Sequence, residues 1–118
     1  MSTPIILMVL FAAAVLEAGG DALVRKGLDA PAAARVGFFL AGAAVLFAYA
    51  CMVNAPKWDF GRLLGAYVVF FFVVAQLINW LVFDIVPGAG MLAGGACIVV
   101  GGAIIVLTGT MTGTTAGN

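Results

Sequence analysis

Two carboxylates stand where a charge is costly. Glu17 and Asp21 interrupt the otherwise apolar run from Pro4 to Val24. They lie one helical turn apart, so their side chains share a face. A helix over Pro4–Val24 rises about 31 Å, enough to cross the hydrocarbon core of a bilayer. On it, Glu17 lies roughly 12 Å from the Arg25 end and about 20 Å from the Pro4 end. An ionisable group at that depth costs at least about 2.5 kcal/mol, and such groups face a protein cavity and handle protons or ions. Low dielectric favours the neutral carboxyl, and two neighbouring carboxyls titrate as a coupled pair. A site of this kind holds either a proton or a cation. Competition between the two is the minimum that proton-coupled exchange requires.

The same helical face carries Leu10, Ala13, Ala14, Gly20 and Val24. The small residues Ala13, Ala14 and Gly20 leave room for a ligand or for a closely packed neighbour helix. Asp21 has a second reading, an ion pair with Arg25 four residues on. Glu17 has no partner at helical spacing. A phenol inside an apolar helix needs a hydrogen-bond partner, and Tyr67 is expected to find one in a carboxylate such as Glu17. Phe70, Phe71 and Phe72 offer cation–π faces or an apolar wall, and equally fit lipid-facing packing. Gln76 is nine residues from Tyr67 and falls on the opposite face, so it is expected to bridge helices. Asn79 and Trp80 are expected toward the membrane interface.

These residues need long helices to hold them. The first segment, Pro4–Val24, ends at Arg25-Lys26, with Gly27 as a C-cap and Asp29 available to cap the next helix. The second runs from Ala33 or Val36 to Val53, with Arg35 able to snorkel to headgroups. A polar loop, 54–61, carries Trp58 as an interfacial anchor. The third runs from Arg62 to Phe83 or Val86 and turns at Pro87-Gly88. The fourth, Ala89–Leu107, is uncharged and glycine-rich. Gly90 and Gly94 form a small-xxx-small pair, while Gly94 with Gly101 and Gly95 with Gly102 repeat at seven. Such stripes let another helix approach closely. Residues 1–107 therefore read as one four-helix transmembrane domain and 108–118 as a flexible polar tail. Continuous apolar runs of this length exclude the alternation of a transmembrane β-barrel.

Composition agrees. The chain is 65% hydrophobic and 8% charged, with mean hydropathy +1.26, whereas soluble domains carry about 25% charged residues. Net charge is zero and no basic run exists, so nucleic-acid binding has no support. No positive charge precedes the first apolar run, which predicts a retained helix rather than a cleaved signal peptide. Cys51 and Cys97 stand singly and read as buried small hydrophobes without disulfide or metal spacing. Arg25, Lys26 and Arg35 lie on one side, and Lys57 and Arg62 on the other. That near balance hints at insertion in either orientation.

Together these residues resemble the small multidrug resistance family, within the drug/metabolite transporter superfamily, or a close four-helix sister branch. The resemblance spans Ile5 to Leu107. It rests on Ala13-Ala14-Val15-Leu16-Glu17-Ala18-Gly19-Gly20 in the first helix, Gly65-Ala66-Tyr67 in the third, and Gly95 and Gly102 in the fourth. It implies an antiparallel homodimer packed through the fourth helix, with Gly94, Gly95, Gly101 and Gly102 at the contact. It also implies a chamber in which Glu17 binds proton and substrate cation in turn, with Tyr67, Asp21, Gly20, Ala13 and Phe70 around it. The implied activity is non-enzymatic and cofactor-free. A small organic or hydrophobic cation, multidrug or guanidinium-like, is exported against protons across a bacterial inner membrane. The chain departs from the family where Phe70-Phe71-Phe72-Val73-Val74 replaces a small-residue hinge, and where Asp21 follows Gly20. The lost hinge motivates a rival reading, a non-transporting or heteromeric membrane subunit with a structural, assembly or lipid-linked-cargo role.

Overall fold

A computed structural model describes residues 2–108. It contains four helices: α1 (Thr3–Leu28), α2 (Ala32–Val53), α3 (Phe60–Phe83) and α4 (Ala89–Thr108). There is no strand among the described residues. All four helices are long and apolar enough to cross a membrane, with mean hydropathies of 1.9, 2.2, 2.2 and 2.3. Of the expected tail, Thr108 ends α4 and the rest lies outside the described residues.

The helix ends follow local chemistry. Pro4 occupies the first turn of α1, where a missing N–H costs nothing. α1 runs past Arg25-Lys26 to Leu28, and Asp29 rather than Gly27 caps it. The Arg35 side chain lies exposed in the first turns of α2. It folds back onto this end, its Nε donating to the Gly27 carbonyl at 3.2 Å and its Nη2 to Ala30 O at 3.2 Å. A cation there also complements the negative pole of the α1 dipole. Asp59 caps α3 by accepting from the Arg62 backbone N–H at 2.9 Å, so α3 begins two residues before Arg62. The far end of α3 closes on Asp84 in the left-handed region, φ 59°.

α1 packs against α2 and α3, and α4 packs against α3. The α1–α2 crossing is built on glycine. A Cβ on Gly20 would meet Leu46 at 2.8 Å and the Gly42 carbonyl at 3.3 Å, and one on Gly42 would meet Val24 at 2.7 Å. On α4, Gly95 and Gly102 are buried, and a Cβ on either would collide with Phe72 or Val69 of α3 in the same chain. Gly90, Gly94 and Gly101 have open space beside them. Arg62 ties the two helices together at one end. Its Nη2 donates to Val106 O at 3.1 Å and its guanidinium stacks 3.8 Å from the centre of the Trp58 ring. Trp58 is thus a packing partner as well as a candidate anchor.

The buried core lies toward the Trp58 end of the bundle. Ile6, Leu10, Ala13 and Ala14 of α1 meet Leu63, Ala66 and Tyr67 of α3 and Val53 of α2. Cys51 and Cys97 are both exposed, contrary to their expected burial. Hydropathy cannot separate a core-facing thiol from a lipid-facing one.

Candidate functional site

Glu17 sits where that core ends. It is half-buried, flanked on its helix by fully buried Ala13 and Ala14 and by buried Ala18 and Gly20. The Tyr67 phenol on α3 donates a 2.6 Å hydrogen bond to Glu17 Oε1. Tyr67 itself is 5% exposed, so this bond lies inside the bundle. A hydrogen bond to a charged group contributes roughly 1.5–3 kcal/mol in soluble proteins, and interhelical polar bonds in bilayers about 0.6 kcal/mol on average. The partner of Glu17 is therefore a neutral donor and not an arginine or lysine. The carboxyl is held in place with no countercharge beside it among the described residues.

A third helix contributes a group that the sequence did not single out. Tyr49 on α2 lies near both the Glu17 carboxyl and the Tyr67 hydroxyl, and its ring lies 5.7 Å from that of Tyr67. Phe71 extends the stack, 6.2 Å from Tyr67. α2 is hydrophobic all round, so no periodic face marked Tyr49. The available signal was the rule already applied to Tyr67, that a phenol in an apolar span seeks a partner.

The other expected site residues divide into two groups. Ala13 and Gly20 are spent on helix packing, the first in the core and the second against α2. Of the two roles open to those small residues, the close neighbour helix is the one observed. Phe70 packs edge-on to Phe11 at 6.5 Å and lines an apolar groove with Val69 and Gly102, away from Glu17. Gly94, Gly95, Gly101 and Gly102 lie on α4, remote from the carboxyl.

Asp21 remains near the site but does not pair with Arg25. It is exposed and forms no hydrogen bond or ion pair among the described residues. Both side chains instead line a cleft of about 450 Å³ between α1 and the C-terminal half of α3. Arg25 stands over the Phe83 ring at 5.9 Å, and Lys26 does so at 5.5 Å. Ala18, Ala22, Phe71, Ala75, Gln76 and Asn79 complete the walls. Ala18 neighbours Glu17 on its helix and Phe71 stacks on Tyr67, so one wall of the cleft borders the surroundings of the carboxyl, which does not itself line it.

Gln76 makes no contact with Glu17 or Tyr67 and lines the cleft instead. It does not bridge helices, however. Its Oε1 is buried without a hydrogen-bond partner, a state that costs about 1–3 kcal/mol. Asn79 faces the cleft, while Trp80 points outward, 51% exposed. No group of three or more His, Cys, Asp or Glu among the described residues could hold a metal ion.

The arrangement is a carboxyl at mid-span, held by the Tyr67 phenol with Tyr49 beside it, next to a cleft that carries Asp21, Arg25, Gln76 and Asn79. It suits reversible binding of a proton or a cation. No family model, curated protein or solved structure matches the chain.

Proposed function

We propose that this protein is a proton-coupled antiporter that moves small organic cations across a membrane, with Glu17 binding the proton and the cation in turn. The single observation that supports this most is the 2.6 Å bond from the Tyr67 phenol to a carboxyl with no cationic partner among the described residues. A structural carboxylate would be expected beside an arginine or lysine. A neutral donor positions the group and leaves it free to exchange its proton. Tyr67 orients it, and the aromatic stack of Tyr49, Tyr67 and Phe71 supplies an apolar wall for the body of a substrate.

The working unit is proposed to be a homodimer in a bacterial inner membrane, inserted in either or both orientations. Two copies joined through α4 would enclose both Glu17 side chains, and rocking between them would expose the site to alternate sides. The open stripe at Gly90, Gly94 and Gly101 supports a contact there, because Gly95 and Gly102 are already covered by α3.

The test is transport in proteoliposomes. An imposed proton gradient is expected to drive accumulation of at least one member of a panel of organic cations. Glu17→Gln should abolish it. Accumulation that continues at the wild-type rate in Glu17→Gln would remove this assignment.

One observation favours the rival reading, a non-transporting or heteromeric subunit. α3 is a single unbroken helix from Phe60 to Phe83 with no glycine beyond Gly65, so nothing in it marks a hinge. Co-purification of a second small membrane protein in fixed ratio, with no cation movement by this chain alone, would favour that reading.

A further inference from the structure

We propose that the cleft between α1 and α3 is a cation site in its own right, distinct from Glu17, and that it selects protonated amines over cations lacking N–H groups. Three features of the cleft support this. Asp21 supplies a carboxylate one turn from Glu17 that is bound to nothing else among the described residues. Gln76 lines the cleft from the facing helix, its side-chain oxygen is buried without a donor, and a flip of the terminal amide would turn that oxygen toward a ligand in the cleft. Phe71 supplies an aromatic wall, with Ala18, Ala22 and Ala75 small enough to leave about 450 Å³, within the range of small-molecule sites.

A carboxylate attracts any cation. An amide oxygen that lacks a donor discriminates among them. A protonated amine can give one N–H to Asp21 and another to Gln76. A quaternary ammonium satisfies the charge and leaves the Gln76 oxygen as it was. Sites built to hydrogen-bond a ligand reject the analogue that lacks the donor far more strongly than apolar pockets discriminate by size. Arg25 also lines the cleft, standing over Phe83. Its charge repels a cation from that end and places the amine between Asp21 and Gln76, on the side of Ala18 and Phe71. From there the next carboxyl is Glu17. Only this onward step rests on the exchange reading; binding in the cleft does not.

Equilibrium binding of benzylammonium and benzyltrimethylammonium to the detergent-solubilised full chain tests the site. Wild type is expected to bind the primary amine at least about tenfold more tightly than the quaternary ion. Gln76→Leu should erase that preference by weakening the amine alone. Asp21→Asn should weaken both ligands, and because Asp21 is exposed this variant keeps the fold. Glu17→Gln should keep the preference. Equal affinities in wild type, a preference that survives Gln76→Leu, or a preference that disappears in Glu17→Gln would each overturn the proposal. If Gln76→Leu does not fold, unchanged amine affinity in Asp21→Asn would overturn it instead. Cation-driven proton release measured on the same samples separates the two claims. Preference without release sinks the exchange reading and leaves the cleft site, and release without preference does the reverse.

Discussion

The two ends of the α1–α3 seam differ sharply. Toward Trp58, the seam is closed by Leu10, Ala13 and Ala14 against Leu63, Ala66 and Tyr67, all buried. Toward Arg25, the same two helices are separated by a cleft that exposes Asp21 and carries Gln76 and Asn79. Glu17 stands where one regime gives way to the other. The difference follows from side-chain chemistry. Small and aliphatic residues let helices approach, whereas carboxylates, amides and a guanidinium need water or each other and hold them apart. A carboxyl placed at that boundary is shielded on one side and reachable from the other. That asymmetry is what the proposed exchange would need from a site exposed to alternate sides.

Substitutions on the two sides of α1 should have unequal effects. The largest effect on stability is expected where backbones approach most closely. Gly42→Leu would drive a side chain into Val24 and the Gly20 carbonyl, and should destabilise the bundle by about 2 kcal/mol or more. Unfolding in mixed micelles would measure this, and a loss near zero would mean the crossing is not packed as described. Tyr67→Phe comes next. It keeps the ring stack and removes the bond to Glu17, for an expected loss of about 1 kcal/mol in the same assay. The smallest effect is expected at the open end. Ala22→Leu projects into the cleft, so its stability should stay within about 0.5 kcal/mol of wild type, while cation binding there falls. If Ala22→Leu destabilised the bundle as much as Gly42→Leu, the contrast between the tight α1–α2 crossing and the open α1–α3 cleft would not hold.

Much of the scaffold was legible in the chain. Bilayer thickness sets a length, and each apolar run meets it, so four spans could be placed to within a few residues. The largest shifts came at α1, which continues through Arg25-Lys26 to Leu28, and at α3, which starts at the Asp59 cap. An apolar run measures hydrocarbon depth, not hydrogen bonding, so charged residues ended the run without ending the helix. Within the site, the Glu17–Tyr67 pairing followed from the need of a buried phenol for an acceptor. The α4 stripes were less legible. Gly94/Gly101 and Gly95/Gly102 have the same spacing, and nothing in that spacing says that the second pair meets Phe72 and Val69 of its own chain. Asp21 and Arg25 had the right separation for an ion pair, yet the structure turns both into a shared cleft. Helical spacing states which residues are able to meet and not which alternative partner or solvent prevails.

The most direct measurement is proton release from the solubilised, weakly buffered protein on addition of a substrate cation. Wild type should release protons in proportion to cation bound, and Glu17→Gln should release none while retaining helical content. Release of equal size from Glu17→Gln would contradict the claim that this carboxyl is where proton and cation compete.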